Sequence, residues 1–204
     1  MALLLFSGVV VGKPVAEESF GAWVPEGWTL LQQAVGDLDN DSRPDVVLVL
    51  EEANPLNRKR NDSMGPAELN LNPRRLLVLL NGETGYRPVL SVDHFLPSEG
   101  DEQTPCLDDP LGMGGVKVDE GLLEISLEYW LSCGSYVVDN HFFTFRYEED
   151  RFRLIGVHIS SFTRSSGELE ERSIDFLTDA RDPLYIDSMS LSCPASGTVQ
   201  SWCE

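Results

Sequence analysis

Apolar positions along the chain fall into two patterns. Val46-Val47-Leu48-Val49-Leu50 and Leu76-Leu77-Val78-Leu79-Leu80 are unbroken runs of strand length, which predicts two strands buried on both faces. From Gly115 onward the pattern becomes alternation: Leu123, Ile125, Leu127 and Tyr129 share one side, while Glu124, Ser126 and Glu128 share the other. That is the signature of an antiparallel strand with one solvated face. Val116-Lys117-Val118 is expected to pair with it across Asp119-Glu120-Gly121. Phe143, Phe145 and Tyr147 then face inward, and the chain returns through Phe152, Leu154, Val157 and Ile159. The return strand changes phase near Gly156, which predicts a β-bulge. Thr29–Val35 and Tyr86–Leu96 read as strands flanking the two apolar runs, with Asn81-Gly82 supplying the positive φ angles of a hairpin turn, and Ile174–Leu177 reads as the last strand.

No stretch of a dozen residues carries a helical period, so the predicted fold is mainly β. Two antiparallel meanders of four strands each, about Thr29–Leu96 and Gly115–Leu177, would form a twisted sheet or a sandwich built from propeller-blade-like strand pairs. Two blades cannot close a propeller ring. Phe20, Trp23, Val24 and Trp28 form an aromatic lead-in expected on the sheet edge. Pro97–Gly115 reads as a solvated acidic loop.

One loop between predicted strands carries chemistry. Asp37-Leu38-Asp39-Asn40-Asp41-Ser42-Arg43-Pro44-Asp45 sets carboxylates at positions one, three, five and nine. A hard dication such as Ca2+ takes six to eight oxygen ligands, and acids at alternate positions can turn inward around one ion. The competing reading is a solvated acidic turn, since Asp, Asn and Ser are ordinary turn residues.

Composition narrows the partners. The 204 residues carry 15 basic and 34 acidic side chains, a net charge of −19, which opposes binding to nucleic acid or to an anionic membrane surface. Five of the 15 basic residues, Arg58-Lys59-Arg60 and Arg74-Arg75, lie in or beside the loop Glu51–Pro73. Arg58, Lys59 and Arg60 are therefore candidates for docking a partner, with a solvated loop as the alternative.

Residues 1–16 begin with the apolar run Met1–Val11, of the length of a signal-peptide core and too short to span a bilayer, although it lacks a basic start. Export to the periplasm or outside the cell is the expectation, with residues 17–204 as a single β domain; a folded N-terminal strand is the alternative. Cys106, Cys133, Cys193 and Cys203 fit that compartment, because an even count in an exported chain usually pairs. Three connectivities are open. The local pairs Cys106–Cys133 and Cys193–Cys203 are favoured, the second anchoring the C-terminal tail, with reduced buried cysteines as the alternative. No later apolar run is long enough for a membrane span.

The segment Gly36–Val47 resembles the calcium loop and strand pair of FG-GAP/VCBS-type repeats, whose loop reads DxDxDGxxD. Phe143–Tyr147 with Arg151–Gly156 is similar to a group of exported bacterial proteins in which a single such loop precedes a β-meander. The resemblance implies calcium-stabilised β structure used for adhesion or protein binding. It also implies Asp37, Asp39 and Asp41 as side-chain ligands, Arg43 as a backbone carbonyl ligand and Asp45 as the closing carboxylate. The family's sixth-position glycine is Ser42 here, and a left-handed non-glycine residue costs about 1 kcal/mol.

Nothing in the sequence names a catalytic site. His94, His141 and His158 lie in or beside strands, and no nucleophile elbow, phosphate loop or zinc-protease motif occurs. The function expected is that of a non-catalytic, exported calcium-binding β protein with a protein-binding role. A periplasmic inhibitor or immunity protein that blocks a secreted toxin or enzyme is the alternative, and a hydrolase with a dispersed site is a weaker one.

Overall fold

The computed structural model describes residues 20–178 and 182–191, so the segment 1–16, Cys193 and Cys203 lie outside the described residues. In chain order, β1 (Trp28–Gly36) and β2 (Asp45–Glu52) form a hairpin, and β3 (Arg58–Arg60) and β4 (Glu68–Asn70) a short ribbon. A second hairpin follows, of β5 (Arg74–Gly82) and β6 (Gly85–Asp93). The remaining strands are β7 (Gly115–Asp119), β8 (Leu122–Trp130), β9 (Val137–Glu148), β10 (Arg151–Thr163) and β11 (Glu168–Asp175). They make a four-stranded sheet in the order β1-β2-β5-β6 and a five-stranded meander β7 to β11, antiparallel throughout.

The mainly β, antiparallel architecture is the one the patterning predicts, with corrections of detail. The second meander has five strands, four having been expected: Glu168–Asp175 pairs along β10 in full register, and only its last two residues, Ile174 and Asp175, fall in the strand expected from sequence. Glu51–Pro73 is not all loop: the basic triplet is itself β3, paired with β4.

Burial follows period. Val47, Val49, Leu76, Val78 and Leu80 point from the first sheet into the main core, where they meet Leu123, Ile125, Leu127, Phe143, Phe145, Phe152, Leu154 and Val157 of the second. The opposite face of β2 and β5, made of Val46, Leu48, Leu50, Leu77 and Leu79, is equally apolar and needs its own cover. The aromatic lead-in supplies it. Phe20, Trp23, Val24 and Trp28 pack on that outer face instead of the sheet edge, with the Phe20 ring set edge-on to Tyr86 at 5.5 Å. The bulge predicted near Gly156 is present, as a register shift between Leu154 and Gly156 where β10 meets β9.

The two sheets are tied at one corner and across one end. Gln32, beside a bulge in β1, donates to the Leu111 carbonyl at 3.2 Å and accepts from the Val116 amide at 3.2 Å. Gly36 lies so close to Val118 that an added Cβ would sit 2.6 Å from its methyl, so the sheet corner closes there only with glycine. At the other end the segment 182–191 buries Ile186 and Leu191 in the core, and the Leu191 carbonyl accepts from the Tyr129 hydroxyl at 3.1 Å.

Cys106 and Cys133 form a disulfide with Cα atoms 5.6 Å apart, as expected for this local pair. It fixes the loop before β7 to the turn that follows β8 and fits an oxidising compartment. Among the described residues no helix is long and apolar enough to cross a membrane.

Candidate metal centre

The acidic loop joins β1 to β2 and is held from both ends. Leu38 is fully buried in the main core, which pins the second loop position like a peg. Asp45, the first residue of β2, is also fully buried. Its carboxylate accepts from the Leu38 amide at 2.7 Å and from the Asn81 amide at 2.8 Å, so it links the loop's start to the end of β5; Asn81 and Gly82 are strand residues there, and the hairpin turns at Glu83 and Thr84 instead of at Asn81-Gly82. Between these anchors the backbone turns twice through left-handed conformations, at Asn40 (φ 61°) and Ser42 (φ 68°). Ser42 thus adopts the conformation for which the resembling repeats carry glycine.

That curl aims amides at carboxylates. Asp37 accepts from the Asp41 amide at 3.1 Å and from the Ser42 amide at 2.8 Å, while Asp39 accepts from the Asp41 amide at 3.2 Å. Asp37, Asp39 and Asp45 each offer an oxygen, and these three oxygens lie within 4.8 Å of one another. Ligands on opposite sides of a calcium ion are separated by about 4.6–5.2 Å, twice its bond length to oxygen, so the three can share one ion of that size.

Asp41 departs from the expected set. Its carboxylate accepts from the Arg43 amide at 2.8 Å and pairs with the Arg43 guanidinium at 2.5 Å, and it does not belong to the group of three. The Arg43 amide and guanidinium hold the Asp41 carboxyl below the usual range, against the opposing effect of burial. Arg43 also donates from Nε to the Asn81 carbonyl at 2.8 Å, so its side chain braces the same end of β5 that Asp45 holds.

Burial pushes the Asp45 carboxyl up, and the nearby Asp39 and Asp41 charges push it the same way, while the Asn81 and Leu38 amides oppose the shift. A buried carboxylate facing two others is the electrostatic situation a dication relieves. The donor set is all oxygen, the kind of set that hard cations take.

The other candidate residues are placed as follows. Arg58, Lys59 and Arg60 are exposed on β3, and each has a carboxylate partner: Glu68 at 3.1 Å, Glu102 at 2.9 Å and Asp62 at 2.7 Å. His158 faces outward with Nδ1 3.0 Å from the Ser173 hydroxyl, while His141 is buried beside Tyr129 with its Nδ1 lacking a hydrogen-bond partner among the described residues.

A second polar centre was not foreseen. Arg74 is almost fully buried and pairs with Glu51 at 3.0 Å and with both oxygens of Asp109, at 2.7 and 2.8 Å. Burial works against its charge, but Asp109 and Glu51 outweigh that and raise the Arg74 pKa. The sequence held one sign of it, since Glu51 abuts one apolar run and Arg74 lies two residues before the other, each on a strand buried on both faces.

In comparisons with known proteins, no family model, no curated protein and no solved structure matches the chain.

Proposed function

We propose that the protein is an exported, non-catalytic β protein that binds calcium as a structural clasp and serves a protein-binding role. The observation that carries this reading is the grouping of the Asp37, Asp39 and Asp45 oxygens around one point on a loop pinned by Leu38. An ion there would join β1 and β2 to the end of β5 through Asp45, whose carboxylate already holds the Asn81 amide. The gain would be mechanical, because mutually repelling acids are drawn together in the folded state and not in the unfolded one. Export is supported by the Cys106–Cys133 disulfide, and outside the cytoplasm a dissociation constant of about 0.1–1 mM is serviceable.

Calorimetric titration and thermal unfolding test the metal. At about tenfold excess of calcium over the dissociation constant, stability rises by about 1.4 kcal/mol, a melting shift of about 3–6 °C for a domain of this size. Asp39→Ala is the diagnostic variant, because Asp39 makes one weak loop contact and is not part of the buried anchor. Absence of calcium heat in the native chain, or unchanged heat in Asp39→Ala, refutes the reading.

A further inference from the structure

A groove of about 680 Å3 lies between the β3–β4 ribbon, the loop before β7 and the end of β8. Its size is that of ligand sites, which occupy about 300–1,000 Å3. The walls are fixed before anything binds. Arg74 clamps Asp109, the disulfide ties Cys106 to Cys133, and Gly65 passes so close to Pro105 that an added Cβ would meet its carbonyl at 2.4 Å. A preformed groove spares a ligand most of the ordering cost of binding.

Its chemistry is double. Leu69, Met113 and Trp130 give it an apolar side, and Met113 is 82% exposed there, a side chain left in water. Five carboxylates line the other parts, and their charge is only partly met. Glu68 has Arg58 and Asp109 has Arg74, whereas among the described residues Glu99 is held only by the neutral Asn70 amide at 2.8 Å. Asp108 and Glu128 have no side-chain hydrogen bond or ion pair among the described residues. Both sit on one paired stretch, where the Asp108 amide donates to the Trp130 carbonyl at 3.0 Å and the Glu128 amide to the Pro110 carbonyl at 2.8 Å. Arg164 stacks on Trp130, 5.2 Å from the ring centroid, but does not line the groove.

We propose that this groove docks an extended basic segment of a partner protein, setting an Arg or Lys head group against Asp108 and Glu128 and an apolar neighbour against Trp130 and Met113. A free organic cation would satisfy the carboxylates and leave the apolar side wet. A second copy of this chain is disfavoured by its net charge of −19. The groove is separate from the acidic loop 37–45, so this docking does not rest on calcium.

The probe is a fluorophore-labelled peptide of alternating Arg and Leu, followed by anisotropy, with a Glu-for-Arg peptide as the control. Because any acidic protein attracts a basic peptide, the decisive comparison is between two charge-matched doubles. Asp108→Asn/Glu128→Gln removes the groove's unpaired charge, and Glu168→Gln/Glu170→Gln removes the same charge from exposed β11. Neither groove carboxylate has a partner to lose, so circular dichroism should match the native chain. The expected result is about tenfold weaker binding for the groove double, less than about twofold change for the β11 double, and about threefold or greater loss for Met113→Ala. Equal weakening in both doubles, no binding by the native chain, or equal competition by agmatine overturns the proposal, the last in favour of a small organic cation.

Discussion

Arg74→Met removes the one cation at a buried junction, and the structure indicates how much should be lost. In the native chain Arg74 satisfies Glu51 on one side and both oxygens of Asp109 on the other, and it also donates to the Pro97 carbonyl at 3.2 Å. Without it Glu51, 8% exposed, keeps among the described residues only the Asn70 amide at 2.8 Å, while Asp109 keeps the Leu111 amide at 3.0 Å and reaches water more easily. Removing one partner of a buried pair costs about 3–5 kcal/mol, because the remaining charge stays desolvated. The partial exposure of Asp109 puts the expected loss near about 3 kcal/mol. With urea slopes of about 1–3 kcal/mol per molar, the unfolding midpoint falls by at least about 1 M. A second variant separates lost charge pairing from lost packing. Glu51→Leu/Arg74→Met takes away both charges, Asn70 retains Glu99 as acceptor, and the double should be less destabilised than the sum of its singles by about 1–3 kcal/mol. A midpoint unchanged to within about 0.3 M in Arg74→Met, or strict additivity in the double, refutes the reasoning.

Two further perturbations address other parts of the chain. Burial lowers the pKa of His141, with the Asp139 charge opposing, so the folded state binds that proton less readily than the unfolded chain does. The stability contributed by the neutral ring is therefore complete above the unfolded value of about 6.5 and is lost as pH falls. His141→Leu should flatten the decline in melting temperature between about pH 7.5 and about pH 5.5, and an unchanged slope would contradict it. Ser42→Gly should raise stability by about 1 kcal/mol in chemical denaturation without added metal, by relieving the left-handed serine at φ 68°; a loss would mean that the serine side chain contributes more than its strain costs.

Local periodicity carries a large part of this fold. Unbroken runs at Val46–Leu50 and Leu76–Leu80, alternation in Leu123–Tyr129 and a phase slip at Gly156 report which faces of a strand are dry, because that is a property of consecutive residues on a pleated backbone. The spacing of the 37–45 acids likewise marks a loop able to bring carboxylates together. What fills a buried face is a different kind of fact. The run Val46–Leu50 requires an outer cover but does not name Phe20 and Trp23, since that contact is made across the topology. Asp41 has the same alternate spacing as Asp37 and Asp39, yet turns to Arg43, because a guanidinium two residues on competes for it once the chain curls. Glu51, Arg74 and Asp109 come from two strands and a loop, so no spacing in sequence reveals their junction or the groove beside it. The sequence by itself determined strand character, buried faces and the acidic loop; only the tertiary structure decided which three of its acids share a point and which charges face one another, because convergence depends on strands paired far apart in the chain.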